Sequence, residues 1–174
     1  TYSVTGVSIN AINDVITTFI NEGAAPYGVT ITKAGSTSTD ITDIYLAASR
    51  VIIRTETSAS AMSIIDLNQY DSGQDADIPF TATDASPDTL VVADGSMLHI
   101  YDNATTTTNF TPQGTVTTSP SNDGTDSNVD GDLLIGSQAT FDIGTNASSI
   151  GGDYTCTGTC NASGGQETTF TATA

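Results

Sequence analysis

The chain has 174 residues, with 20 Asp and Glu against three Lys and Arg, a net charge of −17, and only 13% charged residues. A surface so poor in cations excludes nucleic acid, whose phosphates are bound by Lys and Arg that displace counterions, and it is repelled by anionic membranes. It suits divalent cations, a saline medium or a basic partner, and repulsion among the carboxylates calls for screening or neutralising ions. The length fits one domain over residues 1–174 around a single core.

No apolar run is long enough to cross a bilayer, and the start Thr1-Tyr2-Ser3-Val4 lacks the basic and apolar regions of a signal peptide. Two accounts fit: a leader has been removed, or an initiator Met was trimmed from a protein never exported. Thr and Ser occupy 32 and 18 positions. Thr favours strands because its branched side chain fits a pleated, half-buried surface, and this composition with few lysines belongs to secreted and surface-assembled β-proteins.

In chain order, Ile9, Ile12, Val15, Ile16, Phe19 and Ile20 fall on one helical stripe. Ser8 could cap its start and Gly23 could end it, so a short helix is expected despite the many β-branched residues. Residues 28–33 alternate as a strand. Ile41, Ile44, Tyr45 and Ala48 then predict a helical turn or two over residues 40–50, leading into a strand at 51–57. Further strands are expected at 62–65, 89–92, 97–101, 114–118, 133–135, 139–143 and 167–174, each bounded by Gly, Pro, Asp or Asn. Many short strands at this spacing predict a mainly β fold, a single antiparallel β-sandwich or jelly-roll-like domain with one or two short helices.

The stretch 123–132 sets carboxylates and an amide on alternate positions around two glycines. Asp126, Asn128 and Asp130 followed by Gly131 reproduce the first half of a calcium loop, with Asp132 as an added oxygen donor. The acid that closes such a loop is replaced by Ser137, so a full EF-hand is not expected. A weak or shared Ca2+ site competes with a solvated turn built from the same residue types.

Cys156 and Cys160 are the only cysteines, with no His or further Cys nearby to finish a zinc site. A tight turn at Gly158 would bring them into range of a local disulfide, against the alternative of two free thiols. Sequons at Asn103, Asn109, Asn146 and Asn161 permit glycosylation, although four is close to the number this composition yields by chance.

Catalytic constellations are largely absent, and the chain is not expected to be an enzyme. His99 is the only histidine and lies in an apolar strand pattern with no nucleophile or orienting acid in sequence reach. Asp75 and Asp77 are a carboxylate pair of the kind glycosidases use, but there is no Trp to provide a sugar platform.

The block Gly131-Asp132-Leu133-Leu134-Ile135-Gly136, continued through Phe141-Asp142-Ile143-Gly144 and then Gly152-Asp153-Tyr154-Thr155, resembles the C-terminal signature of the bacterial DUF4402 domain. The Thr-rich stretch 168–173 stands where that family has its final strand. The family's early L-x-F-G element has no counterpart, and Cys156 interrupts the pattern. The resemblance covers about the last 45 residues and implies a secreted β-sandwich with a surface or fimbria-like role, assigning no active residues.

The expectation from sequence is therefore a structural subunit of an extracellular filament, pilus or surface layer. It would polymerise with copies of itself by strand exchange, with residues 1–9 as donor strand or arm and the C-terminal strand as second candidate. A virion subunit of capsid, tail or decoration type, or a calcium-dependent extracellular binding module, are the alternatives.

Overall fold

A computed structural model describes residues 6–21, 27–42, 44–84, 88–93, 96–100, 109–110, 114–118, 133–135, 140–142, 148–150, 154–161 and 168–170. Among these, fourteen strands and one short helix are arranged in three sheets. The chain begins with β1 (Val15–Phe19), β2 (Gly28–Lys33) and β3 (Arg50–Thr55). There follow α1 (Ile64–Leu67), β4 (Phe80–Thr83), β5 (Asp88–Val92) and β6 (Met97–Ile100). The remaining strands are β7 (Asn109–Phe110), β8 (Gly114–Thr118), β9 (Leu133–Ile135), β10 (Thr140–Asp142), β11 (Ser148–Ile150), β12 (Tyr154–Cys156), β13 (Thr159–Asn161) and β14 (Thr168–Phe170).

Mainly β structure is what the strand pattern predicts, but the pairing differs from expectation. The first sheet runs β1-β2-β3-β6-β9-β12, the second β13-β10-β7 and the third β14-β11-β8-β5-β4. Only the β1–β2 and β4–β5 ladders are antiparallel, and the nine others are parallel. From β6 onward, successive strands visit the three sheets in turn, and each strand pairs in parallel with the one three places later. That is the path of a parallel β-solenoid, in which each coil stacks on the last. The antiparallel sandwich or jelly roll is therefore corrected. Strand length and alternation are the same in both architectures, and only the path of the connections separates them.

The core lies between the sheets and is built as ladders along the stack. On the inner face of the first sheet, Val29, Val51, Leu98, Leu133 and Tyr154 are successive register partners, as are Ile31, Ile53, Ile100, Ile135 and Cys156. Phe80, Ala82, Leu90 and Val92 face them from the third sheet, with Ile64 and Leu67 of α1 in the same cluster. In-register stacking puts like side chains in contact along the coil axis, and burying each Ile, Leu or Phe contributes roughly 1.5–3 kcal/mol.

Three local expectations are overturned. The helix expected from Ser8 is β1 instead. The carboxylate of Asp14 accepts the amides of Asn10 and Ala11 at 2.7 and 3.0 Å, and Asn13 turns the chain at φ 77°. Val15 to Phe19 then pair along the edge of β2, where their β-branched side chains fit better than in a helix.

No helix forms in the described part of 40–50. There the carbonyl of Thr42 accepts Arg54 Nη1 at 2.8 Å, and that of Tyr45 accepts the Thr30 hydroxyl. The segment thus spends its carbonyls on side chains of the sheet beneath it.

The strand expected at 62–65 is a one-residue bridge at Met62 followed by α1. Ser63 and Asp66 form a reciprocal capping box, with the Ser63 amide donating to Asp66 at 2.8 Å and the Asp66 amide to Ser63 Oγ at 3.3 Å.

Candidate functional site

The basic side chains are the first guide to the surface. All four, Lys33, Arg50, Arg54 and His99, stand on the first sheet, and three are buried, at 5% (Lys33), 1% (Arg54) and 8% (His99) exposure. Lys33 lies on the inner side, where its Nζ donates to Asp66 at 2.7 Å and to the Ala61 carbonyl at 3.0 Å, tying β2 to the cap of α1. Arg54 lies on the outer side, bonded to Thr42 and ion-paired with Glu56. Arg50 and His99 approach to 3.4 Å between Nη1 and Nδ1. With its cations used inside the fold, the chain shows solvent almost solely carboxylates as charged groups.

The outer face of the first sheet is covered. Residues 40–42 and 44–48 lie over β2 and β3 as a strap held by the Arg54 and Thr30 bonds. At Gly28 the strap comes so close that a β-carbon would overlap the Ala47 carbonyl, so only glycine fits there. The Ser49 amide donates to Tyr27 at 2.8 Å and its carbonyl accepts from Met97 at 2.9 Å, pinning the end of the strap to the sheet.

The outer face of the third sheet has the opposite character. The register sets Thr83, Thr89 and Thr115 in one row and Thr81, Val91, Thr117, Ser149 and Thr169 in the next. Thr81 and Thr83 are exposed, Thr89 is half-buried, and Val91 is 41% exposed. Neither row contains a charged residue.

Cys156 ends β12 and Cys160 lies in β13, so the pair spans the corner from the first sheet to the second. Their sulfurs are within bonding distance and their α-carbons 6.6 Å apart, as a turn at Gly158 predicts. A loop this short puts the bond at the low end of the ~2–4 kcal/mol typical of disulfides. Tyr154, on the inner side of β12, has its phenol pKa pushed up by burial.

His99 sits on β6 with Ile52 and Leu134 as register neighbours. Asp75 accepts the Asp77 amide at 3.0 Å within a turn, and the carboxylate of Asp71 accepts the amides of Gly73 and Ala82 at 2.8 and 2.7 Å. These acids shape the chain before β4. Asp126, Asn128, Asp130 and Asp132, in the connection from β8 to β9, lie outside the described residues, as do Asn103 and Asn146. Asn109 and Asn161 lie on the second sheet. The register places Asn109 in a row with Thr140 and the exposed Thr159, on the parity opposite the half-buried Cys160, and Asn161 shares that parity. Among the described residues no group of three or more His, Cys, Asp or Glu is placed to hold a metal ion. No described helix is long and apolar enough to cross a membrane. A shallow depression beside β1 is lined by Val15, Thr17, Phe19, Gln69 and Tyr70, with the Phe19 and Tyr70 rings 6.0 Å apart.

Sequence reasoning found the cysteine pair and missed both sheet faces. The signal for the third-sheet face was present as Thr81-Ala82-Thr83 and Thr115-Val116-Thr117, but only the register shows that these segments share it. No family model matches the chain, nor does any curated protein or solved structure.

Proposed function

We propose that the chain is a structural subunit of an extracellular filament, pilus or surface layer, in which copies join through strand edges. The observation that carries this reading is the last coil. Among the described residues, β12, β13 and β14 each pair on one side only, with β9, β10 and β11 respectively. Three such edges at one end of a solenoid form a template for another set of strands, because unpaired backbone groups recruit new partners.

At the other end of the first sheet β1 runs antiparallel, which interrupts the parallel stack and gives the assembly a direction. Residues 1–9 serve as the exchanging arm, and Val7 within them is 58% exposed. The cysteine pair and the hydroxyl-rich composition support an oxidising, extracellular setting. Calcium at Asp126, Asn128, Asp130 and Asp132 would offset part of the carboxylate repulsion.

Sedimentation velocity and negative-stain microscopy over a concentration series test this. Regular polymers are expected, dispersing to monomers on deletion of residues 1–9 or with Thr155→Pro in β12, which removes an amide from the open edge. A chain that stays monomeric at every concentration, or polymers that survive both changes, would overturn the reading.

A further inference from the structure

The outer rows of the third sheet combine three properties. They are uncharged in a chain carrying 20 acidic groups. Six of their eight positions are Thr, with one Ser and one Val. They also stand on a repeating backbone lattice, with neighbouring strands ~4.7–4.9 Å apart and alternate residues along a strand roughly 6.6–6.8 Å apart.

We propose that this face binds ice. Water molecules joined tetrahedrally at O···O separations of about 2.75 Å put oxygens that share a neighbour about 4.5 Å apart. The strand repeat lies close to that distance, so a row of hydroxyl-bearing residues offers polar groups near the spacing of an ordered water layer. Thr suits this better than Ser or Asn. Its β-branch restricts χ1, which lowers the ordering entropy lost on contact, and its methyl leaves the adjoining surface weakly hydrated. The missing charges matter equally, since an ionised side chain would hold its own hydration shell against the lattice.

Charge also separates this partner from its competitors. A basic protein would be drawn to the carboxylates elsewhere on the chain, and these rows would add nothing to that attraction. A neutral polysaccharide would meet no aromatic ring in either row and no Trp anywhere in the chain. A second copy stacked on this face would offer Thr83 only other hydroxyls in exchange for water, and Thr81 already shares a hydrogen bond with the Ser72 hydroxyl at 2.7 Å, so the net gain would be small.

The test grows ice slowly through a solution of the oxidised full chain. It measures the fraction of protein incorporated and the gap between freezing and melting points, with a non-binding acidic protein of similar size as reference. Enrichment in the ice and a measurable gap are expected. Thr81→Lys combined with Thr89→Lys is expected to reduce both to the reference level, while Ile65→Lys, on the exposed side of α1, leaves both unchanged. If the double variant melts below the parent chain, the single Thr81→Lys on the edge strand β4 decides the matter with the same expected loss. Exclusion of the parent chain from ice overturns the proposal. So does undiminished incorporation of the deciding variant, or retention on microcrystalline cellulose with none in ice.

Discussion

The outer faces of the first and third sheets arise from the same alternation of residues and end in opposite states. On the first sheet the outward positions include Arg50, Ile52, Arg54, Met97 and His99, and all but Arg50 are buried. On the third the outward positions Thr81 and Thr83 stay open. Over β2 and β3 the difference is the strap of residues 40–42 and 44–48, which converts that part of the outer face into a second, smaller buried layer. Once covered, that face can hold long side chains and an ion pair. An uncovered face must be compatible with water throughout, and Thr meets that need while keeping strand propensity.

The strap can be broken from beneath. Arg54→Ala removes a fully buried side chain, its Nη1 bond to the Thr42 carbonyl and the cation paired with Glu56. A loss of about 3 kcal/mol is expected, since Glu56 retains some solvent to soften the effect. Urea unfolding monitored by circular dichroism would measure it, and a loss below 1 kcal/mol would mean that the strap does not depend on this residue.

Gly28→Ala attacks the same contact from the backbone. Its methyl would collide with the Ala47 carbonyl, and a cost of about 1–3 kcal/mol is expected from the shift needed to accommodate it. Faster hydrogen exchange at the Ser49 amide, which donates to Tyr27, would locate the damage in the strap.

Smaller still is the alkaline response of Tyr154 on the inner side of the first sheet. Burial raises its pKa above the ordinary ~10, so the folded chain resists ionisation there more than the unfolded chain does. The stability tied to the neutral phenol is fully present below about pH 10 and is lost as pH rises through the raised value. Ultraviolet titration should show a late phenol ionisation that Tyr154→Phe removes. Least of all should follow from Thr83→Ala on the open face, within about 0.5 kcal/mol of the parent chain. A larger loss would mean that this face is covered too.

How much of this was legible beforehand varies by element. Strands 28–33, 114–118 and 133–135 were placed to the residue, and those at 50–55, 88–92, 97–100, 140–142 and 168–170 within a few positions, because β-branched alternation between Gly, Pro and Asp is a local signal. The strands at 80–83, 109–110, 148–150, 154–156 and 159–161 were not foreseen, since two to four residues are too few to show alternation. The segment after Ser8 was misread because six apolar residues at helical spacing also satisfy a turn followed by a short strand. The Asn13–Asp14 turn and the open edge of β2 decided between the two. Residues 62–65 were misread because Ile64 and Ile65 favour a strand, whereas the Ser63–Asp66 capping box favours a helix. Lys33, distant in sequence, adds its charge to that cap.

The sequence by itself determined the strand content, the anionic character and the shortage of cations available to any partner, and it offered the pairing of Cys156 with Cys160 against two free thiols. Each of these depends on residue type or on neighbours a few positions apart. Tertiary structure alone decided that the strands run parallel, that every basic side chain joins one sheet, and that two rows of Thr align on another. Alternation specifies which residues share a face of one strand, but it carries no information about which strand lies alongside. That choice is made by the connections and by the matching of Val, Leu and Ile ladders across coils.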